Sequence, residues 1–282
     1  MTDRKYYSER AGRGPVAAPL TLDDIKRVFR GQFGALDGEG YFQESFGYEC
    51  VDNGFVPGLL GTDLQSELLL KLRKPELWPV YSTLDQWSED DLFDMIEFLH
   101  DHIAKPTKRY YHDFSSCGWH CSAFDREAGR QEFREKMNRV LPAYDTGFEL
   151  SEQGELLALA PTGLEPLLSA TIPYPDSVNV GARVETAIKK FRRHRSSIED
   201  RRDAVRDLAD VLEFLRPKLK KVLLAQDEQD LFNIANNFGI RHHKTGQKTD
   251  YDKPIWLSWV FYFYLSTINA AVRLIEKSGD AA

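Results

Sequence analysis

The 282 residues suffice for one large domain or two ordinary ones, and a content of 42% hydrophobic and 12% aromatic residues excludes an intrinsically disordered chain. A formal net charge of -7 excludes a protein whose whole surface is basic for nucleic acid, so any RNA contact has to be local. Three cysteines, an odd number, and an opening Met1-Thr2-Asp3-Arg4-Lys5 with no apolar run after it give the expectation of a reducing, cytoplasmic setting.

In chain order, Thr21 followed three residues later by Asp24 predicts an N-capped helix reaching about Phe33. Residues 38–61 are dense in glycine, with Tyr41, Phe42, Phe46, Tyr48 and Phe55 interspersed, and predict an ordered aromatic loop region or a short irregular sheet. Ser88, with acids in the first turn and Leu92, Ile96 and Leu99 on one face, predicts the clearest helix of the N-terminal half. His100 and His102 at its end complement the helix dipole, and no further role is expected of them. A second helix is expected over residues 127–141, ended by Pro142, and residues 147–157 alternate around a turn as a small hairpin does.

Two prolines two apart, Pro173 and Pro175, disfavour helix and central strand and place a linker there, with the domain boundary near residue 178. The fold expected is mainly α: a mixed α+β domain over residues 1–178, regulatory or sensor-like, and a four-helix domain over residues 179–282. In the latter, Val184, Ile188 and Phe191 mark one helix. Ala204 to Leu215 mark a second that Pro217 breaks or kinks, Leu231 to Phe238 a third, and Trp256 to Ile275 a fourth. Residues 254–272 carry no charge and approach bilayer-spanning length. Ser258, Ser266, Thr267 and Asn269 interrupt them, and Tyr262 and Tyr264 sit mid-span, so a buried helix is expected rather than a membrane anchor.

Three segments carry groups that could do chemistry. In the third helix Asn237 and Arg241 lie one turn apart, with His242 and His243 following. Arg offers a fork of donors for a phosphate and His moves a proton near neutral pH, the two needs of phosphodiester cleavage without metal or other cofactor. Cationic groups at a helix end also simply complement its dipole. The basic run Lys189-Lys190-Phe191-Arg192-Arg193-His194-Arg195, with Lys244 further on, could track an RNA backbone. The blander reading pairs its cations with Glu199, Asp200, Asp203 and Asp207 on a solvated face. Finally, His112, Cys117, His120 and Cys121 total four zinc-type donors. Their spacing is poor, because adjacent His120 and Cys121 would both have to bind, so no metal site is expected and a buried thiol cluster is the competing reading. No Walker loop, G-x-G-x-x-G or nucleophile elbow is present.

Four helices with Asn236-Asn237-x-x-x-Arg241-His242-His243 ending the third and a long aromatic fourth resemble a HEPN domain. With Tyr7-Ser8-Glu9-Arg10 near the start, the whole resembles abortive-infection proteins of the AbiJ type from bacterial anti-phage systems. The resemblance implies a metal-independent, toxin-like RNA endonuclease acting as a homodimer through the C-terminal helices, with a possible regulatory protein partner. It carries Arg241, His242, His243 and Asn237 as catalytic residues. Gly246, Gln247 and Lys248 stand where the family's distal His belongs, so the alternative is a non-catalytic module that binds RNA or a nucleotide and dimerises.

Overall fold

The computed structural model describes residues 6–12, 18–170, 172–237 and 252–279. It is mostly helical with small sheets, and the chain divides into two compact units, Met1–Leu156 and Leu157–Ala282.

In the first unit, α1 (Leu22–Gly38) starts at Thr21, whose hydroxyl accepts from Asp24 N–H while the Asp24 carboxylate accepts from Thr21 N–H. This reciprocal cap satisfies two donors that a helix start leaves open. Phe29, Phe33 and Leu36 form its buried face, and Phe33 packs on Phe42 with ring centroids 5.3 Å apart. Residues 38–61 hold a short helical turn and then the hairpin of β1 (Tyr48–Cys50) and β2 (Gly54–Val56). Next comes α2 (Leu64–Lys71), capped by Asp63. The Ser88 cap opens α3 (Glu89–His102) with the same reciprocal bonds as Thr21, and α3 buries Leu92, Ile96 and Leu99 as its periodicity requires.

The longest ribbon follows, β3 (Lys105–His112) paired antiparallel with β4 (Gly118–Asp125), its register running from Lys105 opposite Asp125 to His112 opposite Gly118. Beyond it lie α4 (Arg126–Met137), shorter than the expected 127–141 helix, and the hairpin of β5 (Phe148–Leu150) with β6 (Leu156–Ala158).

The second unit is built on α5 (Gly181–Arg192), α6 (Ile198–Val222), α7 (Ala225–Asn237) and α8 (Lys253–Ser278). Pro217 does not end α6, which continues to Val222 with Leu215 and Leu219 buried on either side of the proline. Packing there outweighs the lost backbone bond. Val184, Ala187 and Phe191 of α5 meet α6 and α8 in one core, where Phe191 and Phe261 stack with centroids 3.9 Å apart and planes 7° from parallel. Ala160, Leu164, Leu167, Leu168, Ile172 and Tyr174 pack against this same core. The division therefore falls some twenty residues before the expected boundary at 178, because apolar side chains of residues 160–174 are already committed to the helical unit. Among the described residues α8 alone is long and apolar enough to cross a membrane, and half of its most apolar stretch is buried inside the protein.

Candidate metal centre

The ends of the two N-terminal hairpins converge. Cys50 closes β1 at the start of a three-residue turn, His112 ends β3, Cys117 follows in the β3–β4 loop, and His120 lies on β4. One donor atom from each of these four side chains lies within 4.8 Å of every other. The Cys117 Sγ to His120 Nε2 distance is 3.2 Å and the Cys50 Sγ to His112 Nδ1 distance is 3.9 Å. Those values straddle the roughly 3.6 Å edge of a tetrahedron with Zn–S near 2.3 Å and Zn–N near 2.05 Å.

The loop that returns Cys117 to the site is unusual in its backbone. Ser115 and Ser116 both sit in the left-handed region, at φ 52° and 55°, and Gly118 at φ 106° occupies a conformation that a side chain would oppose. Each left-handed Ser costs on the order of 1 kcal/mol, so the surroundings must favour this path to hold it.

What surrounds the four donors suits them to a cation. The His112 Nε2 is 3.2 Å from Asp52 Oδ2, and the His120 Nδ1 is 3.0 Å from the Tyr110 hydroxyl. With Nδ1 of His112 and Nε2 of His120 given to a cation, the outer nitrogens would carry the protons and donate to those oxygens, the arrangement that fixes tautomer and ring orientation in ligating imidazoles. Burial would push the Cys50 thiol up. The backbone N–H groups of Asp52 and Asn53, the Cys117 thiol and the Asn53 side-chain amide outweigh it and bring the thiol below its ordinary range. Val51 N–H donates to Cys117 Sγ at 3.4 Å. Burial first, and then the neighbouring His112, hold His120 below the usual imidazole value, favouring the neutral ring that a metal binds. Cys50 and His120 are buried, while His112 and Cys117 are half-buried.

Four protein donors with no position left for water or substrate describe a structural site rather than a catalytic one. Comparison with protein-family models, curated proteins and solved structures finds no match to this chain.

The set corrects the quartet that the sequence suggested. Cys121 is replaced by Cys50, and the reason is the period of a strand: neighbours on β4 point to opposite faces, so His120 and Cys121 cannot share a site. Cys121 is instead buried against Gly40, where a Cβ would stand 2.5 Å from its sulfur, and burial pushes its thiol up, away from the thiolate a metal needs. It is the inert buried thiol of the competing reading.

Of the other expected site residues, Asn237 is the last residue of α7, and Arg241, His242, His243 and Lys244 lie outside the described residues. In the basic run, Arg192 is 8% exposed and its Nε donates to the Ala158 carbonyl at 2.8 Å, so it ties α5 to β6 rather than facing a phosphate. Lys190 pairs with Asp207 at 2.6 Å and Arg202 with Glu199 at 2.7 Å, as the solvated-face reading holds. Arg193 and Arg195 are exposed and Lys189 is half-buried.

Proposed function

We propose that this chain is a zinc protein in which Cys50, His112, Cys117 and His120 clamp the β1–β2 and β3–β4 hairpins together. The observation that carries the reading is the convergence of four zinc-type donors from two hairpins, each imidazole with its outer nitrogen engaged. Either hairpin alone is marginal in water, β1 and β2 being three residues each, and a tetrahedral ion supplies the cross-link that so small a sheet lacks. Protein purified without chelator is expected to carry about one zinc per chain by plasma mass spectrometry. Cys50→Ser should fall to a small fraction of that, and Cys121→Ser should keep it. Zinc lost equally in both, or absent from all three, would end the proposal.

We further propose that the C-terminal unit acts on or binds RNA as a HEPN-like homodimer. The resemblance supports this reading through Asn237, Arg241, His242 and His243; Asn237 is the last residue of α7, and the other three lie outside the described residues. Chelation would strip the zinc, so the assay is run on zinc-loaded protein in magnesium-free buffer with total RNA. Wild type is expected to leave cyclic or 3′-phosphate ends, and Arg241→Ala to reduce cleavage at least 100-fold, in line with the loss of one charge-stabilising donor. Intact RNA retained on the protein would replace cleavage by binding; intact and unbound RNA would remove both.

A further inference from the structure

A cavity of about 510 Å³ opens beside the β1–β2 hairpin, walled by Phe46, Phe55 and Trp78 and edged by the carboxylates of Glu49 and Asp63. Its volume is that of an ordinary small-molecule site. The aromatic walls are held from outside. Phe46 stacks on Phe42, with ring centroids 5.3 Å apart, and meets Trp78 nearly perpendicularly at 5.4 Å, and Gln65 Nε2 donates to the Trp78 carbonyl at 3.0 Å. Phe55 closes the hairpin side and is 41% exposed.

The charges decide what such a cavity takes. No lysine, arginine or histidine lines it, and among the described residues neither Glu49 nor Asp63 has a cationic partner. Asp63 is engaged only as the cap of α2, accepting from Ser66, which keeps its carboxylate ionised. Two carboxylates without a cationic partner, set against three aromatic rings, repel an anionic ligand and gain nothing from a neutral one. A compact organic cation satisfies both, its charge meeting carboxylate and ring quadrupole together.

We infer that this cavity binds a small alkylated ammonium ion, with Glu49 and Asp63 as counter-charges and Phe55 and Trp78 as ring contacts. The hairpin that bears Glu49 and Phe55 also ends in Cys50, so binding is measured by titration calorimetry on full-length protein whose zinc content is known. Choline is the probe, and its neutral isostere 3,3-dimethylbutan-1-ol is the control. Choline is expected to bind more tightly than the isostere. Glu49→Gln, at an exposed position, and Phe55→Ala should each weaken it about fivefold or more, with zinc content and circular dichroism of both variants checked against wild type. Zinc-loaded protein that ignores choline, that binds the isostere equally well, or whose affinity is indifferent to both substitutions overturns the inference and leaves the metal centre untouched.

Discussion

Stripping the metal with excess chelator is expected to lower the unfolding midpoint of the N-terminal unit by roughly 10–20 °C, and returning zinc should restore it. Structural zinc in small peptides supplies on the order of 10–16 kcal/mol of folding free energy. Here only part of that is at stake, because the unit has a core of its own in Phe29, Phe33, Leu92, Ile96 and Leu99 that needs no ion. A loss of about 5 kcal/mol is the reasonable share, and at roughly 2–4 °C per kcal/mol for a unit of this size it gives the stated shift. Without the ion the direct ties between the hairpins reduce to contacts such as His112–Asp52 at 3.2 Å, the Val51 N–H to Cys117 Sγ bond at 3.4 Å and the Tyr48–His120 ring contact at 4.5 Å. The β4 strand keeps a further anchor in Gln43, which accepts from Cys121 N–H at 2.9 Å and donates to the Trp119 carbonyl at 2.7 Å. The loss should therefore begin at β1–β2, with early amide exchange in residues 48–56. Calorimetry with and without chelator makes the measurement, and coincident transitions would show that the four donors do not hold the fold.

How much of this centre could be read from the chain follows from which contacts are local. Cys117 and His120 are two intervening residues apart, a usual ligand spacing, and His112 lies five before Cys117, so three of the four donors were visible. Cys50 is 62 residues from His112, and no local pattern joins them. A signal was nonetheless present, since Cys50 precedes Asp52-Asn53-Gly54, a tight turn whose N–H groups point back at the sulfur. Treating residues 118–125 as a strand would also have removed Cys121, because alternation separates it from His120. The ribbon is not legible in the sequence because β3 shows no alternation: residues 107–111 are exposed on both faces.

Helix starts were more legible, since Thr21 and Ser88 bond within three residues of themselves and tertiary structure hardly enters. Pro217 went the other way. Its local preference to end a helix was overridden by buried leucines on both sides, which only the packed unit makes apparent. The division of the chain ahead of residue 178 has the same cause, the apolar residues of 160–174 being uncommitted until α6 and α8 stand beside them.

The second large effect concerns α8, whose composition suits either a membrane or a core. Phe261→Ala is expected to destabilise the helical unit by about 3–5 kcal/mol, the usual range for an aromatic removed from a filled core. Phe261 is fully buried and stacks on Phe191, so both the transfer of its ring and the void left against α5 count. On the same helix Leu274 is 41% exposed, and Leu274→Ala should change stability by less than about 1 kcal/mol. Denaturant unfolding of the two variants, followed by helical circular dichroism, gives the contrast, with zinc content expected to stay near one per chain in both because the ligands lie in the other unit. Near-equal effects would mean that α8 does not bury Phe261 in a soluble core, and a requirement for detergent in both variants would return the helix to the bilayer. A large effect at Phe261 alone assigns the apolar length of α8 to packing against α5 and α6.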